Sequence, residues 1–483
     1  MISTPLAIVT NRQPYRHEYA SDDGGDVTVD RPCGGVVAAL DTVAQRHEAT
    51  WIAWGDGEAD REVCDPNDRI TVPPDDPAYT LERVWLDEED VKGYYEGYAN
   101  RVLWPLCHGA MGAFEYDVDH WLRYRDVNRQ FAERVRETVD EGATVWFQDY
   151  HFALAPAMIR DAVDGPLVHF WHIPWPPADI FRYCPQRQEL LEGLLATDLL
   201  GFHVEEYVER FLDCVEAFVP DARVDRNRKT VKTNGQSTRL SAFPLGVDVE
   251  SIAREASQAH GIESSLRDRY NIKGQLLLGV DRLDYTKGIP ERLRAIEHLL
   301  ERSPRHRCQF TVVQKSIPSR ENIPAYQRLQ SEVEQVVDRI NDRFATDDWQ
   351  PVVTIDDYLP TETLYGLYRA TDVMLVTPIC DGMNLVAQEF VAAQSSPDGV
   401  LVLSEFAGAH EFLGDGVLSI NPYDTPAHAD AIERAIDMGV GERMRRMREL
   451  RSAVDELDIE TWAPSVLAAT SSIDDPPTMM GIE

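Results

Sequence analysis

The sequence predicts an α/β protein made of two doubly wound parallel-sheet domains, and three observations predict it. Short apolar runs rich in β-branched residues alternate with helical patterns along most of the chain, as in parallel sheets covered by helices on both faces. The chain has 483 residues, whereas a single core stops growing near ~250–300. The run AFPLGVDVES at 242–251 interrupts the pattern midway, and its Pro and Gly suit a hinge. The boundary is therefore placed near 246, with an N-terminal domain over 1–245 and a C-terminal domain over 246–470 that finishes in a closing helix. The last residues, 471–483, read as a disordered tail because SSIDDPPTMMGIE is polar and carries paired Pro.

In the first half the apolar runs LAIVT (6–10), TVWFQ (144–148), LVHFW (167–171) and LLGFH (199–203) read as strands. In the second half LLLGV (276–280), FTVVQ (310–314), VVTI (352–355), VMLVT (373–377), VLVLS (400–404) and VLSI (417–420) read likewise. Each is too short for a helix and is bounded by turn residues. Segments 13–31 and 221–238 are polar and without period, so both are expected to be irregular, the first as a mobile loop near the active site.

Composition narrows the partners. The formal charge is −36, from 83 acidic and 47 basic residues, and only six of the basic residues are Lys. Such an acidic, Lys-poor chain is suited to concentrated salt, where screening relieves self-repulsion. Nucleic acid is excluded as a partner because no net basic footprint exists to neutralise phosphates. No window approaches the ~18 uninterrupted apolar residues of a membrane span, and no signal peptide is expected. The seven Cys form no CxxC pair, so reduced thiols in a cytoplasm are expected. Sequence fixes no oligomeric state, and a homo-oligomer is compatible with it.

The chemistry concentrates in LVTPICDGMNLVAQEFVAAQ, residues 375–394. LVTP reads as a buried strand, CDGMN as a turn and LVAQEFVAAQ as a helix. A turn running into a helix N-terminus is an anion site, because unpaired backbone N–H groups point outward there. Asp381 and Glu389 bracket it and could accept hydrogen bonds from sugar hydroxyls. A second segment, GVDRLDYTKGIPER at 279–292, offers Arg282 and Lys287 just after another strand. Arg can bond phosphate oxygens bidentately and Lys supplies a point charge, which a departing diphosphate requires. Arg12 follows the first strand, at the carboxyl end where open α/β sheets bind ligands, and Arg320 follows a strand of the second half. The two would clamp a sugar phosphate. Tyr95 and Trp104 add a hydroxyl and an aromatic wall, although either alone is as well explained by core packing. Asp149 and His172 end two strands and are placed to bond sugar hydroxyls. No HExxH or similar spacing is present, DVD at 117–119 reads as a solvated helix start, and neither a metal nor another cofactor is expected.

These segments, with VTNR (9–12), the Gly34–Gly35 pair, YYEGYANRVLWP (94–105), DYH (149–151), HIPWP (172–176), PSR (318–320) and FAGA (406–409), resemble in order the motifs of trehalose-6-phosphate synthases. These are retaining glycosyltransferases with two Rossmann-like domains facing an interdomain cleft, the GT-B type. The resemblance implies that Leu385, Val386, Ala387, Gln388 and Glu389 line the donor nucleotide, with Glu389 on its ribose and Leu359 touching the base. It implies that Gly34 and Gly35 let the chain approach the donor without a Cβ clash. Arg12, Tyr95, Asp149 and Arg320 would bind glucose 6-phosphate, with Trp104 and Ile173 selecting the anomer. Arg282, Lys287, Asp381 and His172 would form the catalytic set. The implied reaction joins glucose from UDP-glucose or GDP-glucose to glucose 6-phosphate, giving α,α-trehalose 6-phosphate, a compatible solute precursor.

Three positions depart from the family pattern. Gln148 stands where His is common, Cys380 where Arg is, and Gln388 where Lys is. The interval from Arg12 to Gly34 is also long, which leaves the donor nucleotide open. No Asp-x-Asp-x-Thr signature occurs, so no fused phosphatase is expected. A synthase using another acceptor such as glycerol 3-phosphate, a non-catalytic sugar-phosphate sensor and a pyridoxal-phosphate phosphorylase are the competing readings. The charge itself yields a test. Thermal midpoints should rise with KCl as the Debye length falls from ~10 Å at 0.1 M to ~3 Å at 1 M. A flat or falling midpoint would count against adaptation to salt.

Overall fold

The computed structural model describes residues 5–20, 25–31, 35–259, 261–394, 396, 398–457 and 459–471. The tail expected to be disordered lies beyond them, apart from the backbone of Ser471. The chain divides into two compact units, 1–244 with 460–483, and 245–459. The helix Ile459–Ser471, which the sequence pattern groups with the second domain, packs on the first unit. Its Trp462 ring lies 5.3 Å from that of Trp146 and 5.0 Å from that of Phe170.

The first unit contains β1 (Leu6–Thr10), β2 (Arg16–Tyr19), β3 (Val27–Asp30), β4 (Thr50–Trp54), β5 (Arg69–Val72), β6 (Tyr79–Val84), β7 (Thr144–Gln148), β8 (Leu167–Phe170), β9 (Leu199–Phe202), β10 (Arg223–Asp225), β11 (Thr230–Thr233) and β12 (Gln236–Ala242). Ten of these form one sheet, in the order β10-β11-β12-β9-β8-β7-β1-β4-β6-β5. The strands from β12 through β6 are all parallel to their neighbours, and antiparallel pairing occurs only at the two ends. Strands β1, β7, β8 and β9 are buried throughout, which is why their sequences are unbroken apolar runs.

Two stretches expected to be irregular are ordered. Within 13–31, β2 and β3 pair as an antiparallel hairpin, with residues 21–24 outside the description. Every residue of β3 is exposed, so no apolar alternation marks it. Within 221–238, β10 and β11 and the start of β12 form an antiparallel extension whose outermost strand is mostly exposed. Strands β4, β5 and β6 also escape the sequence reading.

The second unit contains β13 (Gln275–Arg282), β14 (Phe310–Ile317), β15 (Val352–Ile355), β16 (Val373–Val376), β17 (Val400–Ser404) and β18 (Leu418–Ile420). Their order is β15-β14-β13-β16-β17-β18, with every pair parallel. Buried apolar side chains form one cluster that includes Ala387, Phe390 and Val391 and another that includes Ile289, Leu293 and Ile296.

This order places the ligand crevices. In the second unit the chain works outward from β13 to β14 and β15, then returns to β16 on the other side. The crevice opens where the direction reverses, at the carboxyl ends of β13 and β16. In the first unit the same reversal lies between β1 and β7, with β4 and β6 on one side and β8 and β9 on the other. Both crevices receive residues singled out from sequence.

Gly288 illustrates how tightly the second crevice is built. It has φ +65, and a Cβ there would sit 2.1 Å from the Thr377 carbonyl oxygen. Gly288→Ala should therefore destabilise the protein by about 1–3 kcal/mol and disturb the turn before it. A thermal midpoint and activity equal to those of the unmodified chain would show that this close approach is dispensable.

Candidate functional site

In the second unit, β13 ends at Arg282 and runs into a 3₁₀ turn, Tyr285–Lys287. This turn is stitched to the segment after β16, since the N–H groups of Ile379 and Cys380 donate to the Thr286 carbonyl at 2.8 and 3.5 Å. Across that seam Lys287 Nζ lies 2.6 Å from Asp381 Oδ2, and both side chains are largely buried. Asn384 donates to the same oxygen at 2.9 Å. Asn384, with φ +77, also caps the helix Leu385–Ala393 by accepting from Ala387 N. The left-handed cap turns the chain sharply, so the helix N-terminus opens beside the Lys287–Asp381 pair. A cation, oriented backbone donors and a sugar-competent carboxylate thus share one crevice.

Asp284 lies beneath this surface, fully buried. Its Oδ1 accepts from Thr286 N at 3.0 Å and Thr286 Oγ1 at 2.9 Å. Its Oδ2 accepts from Arg320 Nη1 at 3.2 Å and Tyr326 OH at 3.0 Å. Burial opposes its charge, but Arg320, Arg282, the Thr286 amide and Lys287 together hold its carboxyl down at about 2. Arg320 has φ +51, an uncommon backbone region for a non-glycine residue.

Glu389 lies on the helix and is reached by Tyr368 OH at 3.3 Å. Burial pushes its carboxyl up to about 7, while the Tyr368 hydrogen bond works in the opposite direction. Gln388 is fully buried, its amide donating to Leu245 O at 3.1 Å, so it turns into the unit and away from solvent. Ala387 is buried, while Leu385, Val386 and Leu359 are half-buried against the core.

In the first unit Arg12 is exposed just beyond β1, where Thr10 Oγ1 donates to its carbonyl at 2.6 Å and receives Trp51 Nε1 at 2.7 Å. Asp149 follows β7 at the other side of the reversal. Its backbone, φ +67 and ψ 179, lies in a region costing a non-glycine residue about 1–3 kcal/mol. The surroundings enforce it, because Asp149 N donates to Phe170 O at 2.6 Å and His169 Nε2 reaches Asp149 O at 3.0 Å. The Asp149 side chain then accepts from the His172 backbone N at 3.1 Å.

The His172 ring is occupied on both nitrogens. Nε2 lies 2.9 Å from Gln148 Oε1, a carbonyl oxygen that can only accept, and Nδ1 lies 3.2 Å from His203 Nε2. An N–H on Nε2 therefore faces Gln148 Oε1. Burial and then the neighbouring His203, His169 and His151 push its pKa well below the ordinary value. Gln148, the departure from the family's His, is the partner that accepts from this N–H.

Tyr95 lies within, and Trp104 directly follows, a 13-residue π-helix, Val91–Leu103, a geometry found mostly at functional sites and then usually in single turns. Half-buried Tyr95 stacks on His151 with ring centres 6.0 Å apart. Trp104 is 5% exposed against His108 and Tyr150, and Ile173 is equally buried. Gly35 starts the helix Gly35–His47, while Gly34 and Cys33 lie outside the described residues.

The sequence reading missed Asp284, Tyr326, Asn384 and His203. Asp284 and Asn384 stand inside the motifs already singled out. His203 could have been found as a polar residue ending a predicted buried strand. Among the described residues, the one His and carboxylate group close enough for a metal ion is His306, Glu433 and Asp437. Arg302 and Arg305 already engage its carboxylates, and none of its members belongs to the site residues above. No helix among the described residues is long and apolar enough to cross a membrane.

The family model described as glycosyltransferase family 20 matches residues 5–472. A trehalose-6-phosphate synthase from Mycobacterium avium is 37% identical over 477 residues, covering 97% of this chain and 95% of that protein. A bifunctional trehalose-6-phosphate synthase/phosphatase from Thermoproteus tenax is 35% identical over 464 residues, 95% of this chain, which spans 62% of the relative's length. The solved UDP-forming α,α-trehalose-phosphate synthase of Burkholderia xenovorans, in complex with glucose-6-phosphate, superposes with a TM-score of 0.85 at 31% identity, covering 97% of this chain and all of that one. A trehalose-6-phosphate structure from E. coli bound with UDP-2-fluoro glucose gives a TM-score of 0.86 at 30% identity over 98% of this chain and all of that one. The fold is thus α/β of the GT-B type, and the chain belongs to glycosyltransferase family 20.

Proposed function

We propose that this chain transfers glucose from UDP-glucose to glucose 6-phosphate with retention, releasing UDP and α,α-trehalose 6-phosphate. The observation that carries the reading is the Lys287–Asp381 pair, set where the second sheet reverses and beside a capped helix N-terminus. Lys287 and Arg282 stabilise the diphosphate as it departs, a role that matters most when negative charge develops. Asp381, already bonded to Lys287 and Asn384, orients the reacting glucose. The departing phosphate takes the acceptor's proton on the same face, so no protein nucleophile is required. Arg12 and Arg320 bind the acceptor's phosphate, with Asp149 on its hydroxyls. His172 acts as a neutral positioning ring. The glucose-6-phosphate and UDP-2-fluoro glucose held by the Burkholderia and E. coli relatives support these substrate classes. The acidic, Lys-poor composition supports work in concentrated salt within the cytoplasm.

A donor-by-acceptor matrix in molar salt tests the reading. Glucose 6-phosphate should exceed free glucose as acceptor by roughly 10²–10⁴-fold, since each charge-assisted contact to a desolvated phosphate is worth ~1.5–3 kcal/mol. Equal use of the two sugars, or preference for glycerol 3-phosphate, would overturn it. Lys287→Ala or Arg282→Ala should lower kcat/KM by ~10²-fold or more while the protein stays folded. Near-normal turnover at saturating donor would remove either residue from the catalytic set.

Glu389 gives a pH signature. Its ionised form accepts from two ribose hydroxyls, and its carboxyl titrates near 7. Raising the pH from about 6 to about 8 should therefore lower the donor KM, as the carboxylate becomes populated. Glu389→Gln should abolish that dependence, whereas an unchanged profile would show that another group sets it.

A further inference from the structure

Asp284 joins the two groups of cations. Its Oδ2 holds Arg320 and Tyr326, and its Oδ1 holds Thr286, the residue immediately before Lys287. The Lys287 backbone N–H also donates to the Asp284 carbonyl at 3.0 Å. Asp284 is fully buried and Arg320 is 5% exposed at its side chain, so this pairing is sheltered from water and salt. The carboxylate cannot touch a substrate. Tyr326 fastens the arrangement from the other side, being hydrogen-bonded to both Arg320 and Asp284.

We propose that Asp284 is a positioning residue that couples the acceptor's phosphate-binding arginine, Arg320, to the donor's phosphate-binding lysine, Lys287. The inference rests on the functional reading above, which gives Arg320 and Lys287 those roles. A guanidinium has five donors, and the carboxylate engages it through Nη1 alone, orienting the planar group for a ligand phosphate. The other carboxylate oxygen fixes the turn that presents Lys287 to Asp381. One rigid anion therefore sets the direction of both cations, Oδ2 serving Arg320 and Oδ1 serving the turn that carries Lys287.

The test is a mutant cycle with separate KM values for donor and acceptor. Asp284→Asn keeps the shape and removes the charge. It should raise the acceptor KM about tenfold or more and lower kcat, by the scale of one charged hydrogen bond. In an Arg320→Ala background the same change should leave the acceptor KM where Arg320→Ala alone put it, because the effect runs through Arg320. Two milder variants keep the proposal falsifiable if Asp284→Asn folds poorly. Tyr326→Phe should raise the acceptor KM several-fold and spare the donor KM, and Thr286→Val should do the reverse. If Arg320→Ala alone leaves the acceptor KM unchanged, the functional reading fails. If it raises that KM while the Asp284 effect is fully additive, or while Tyr326→Phe and Thr286→Val change both KM values alike, the coupling role fails and Asp284 is structural.

Discussion

The second unit is organised around one ion pair, Lys287 with Asp381. These residues are 94 positions apart in sequence and leave the ends of two strands that are adjacent only because the sheet reverses direction between them. A Lys held by a carboxylate at 2.6 Å in a largely buried crevice is an oriented charge, already paired before any ligand arrives. Much of its desolvation is thereby offset in the resting protein. The surrounding features serve that geometry: Gly288 allows the turn to approach Thr377, the Thr286 carbonyl collects the amides after β16, and Asn384 bends the chain into the helix.

The first unit repeats the design with different chemistry. Asp149 is held in a strained backbone conformation by β8 and by His169, and its carboxylate points back to the start of the HIPWP segment. Around it lies a hydrogen-bonded chain of Gln148, His172 and His203. The second crevice is thus built on buried charges anchored by Asp284, whereas the first sets one carboxylate, Asp149, among amide and imidazole groups with fixed directions. Surface charge follows a third rule. Arg226 faces Glu209, Asp213 and Glu216 together, and Arg339 and Arg343 share Glu297. Arginine's fork can serve several carboxylates at once, which fits a chain with few lysines.

Much of this was legible in the sequence where burial is two-sided. The six strands of the second sheet and β1, β7, β8 and β9 are apolar runs because helices cover both of their faces. Some of what escaped lies at edges or is exposed: β3 has no buried residue, β10 has one half-buried residue, and β5 has one buried residue of four. By contrast, β4 and β6 are mostly buried, and β6 was masked by its buried Glu82 and Arg83, which break the apolar run. The candidate site residues stood out when they carried charge at a strand end or in the turn that follows it, as Arg12, Arg282, Lys287 and Asp149 do. Asp284 was hidden because nothing in one chain's sequence separates a buried carboxylate that orients a cation from an exposed one. The final helix was misgrouped because its Trp462 contacts depend on tertiary return, which local periodicity does not encode.

The proposed retaining sugar transfer depends on the oriented Lys287–Asp381 pair of the second unit. Proton NMR of the product formed from UDP-glucose and glucose 6-phosphate in molar salt tests it most directly. The account predicts a single α,α-linked disaccharide phosphate, formed in step with UDP release. A product with a β linkage at the transferred glucose, or UDP release without any disaccharide, would contradict it.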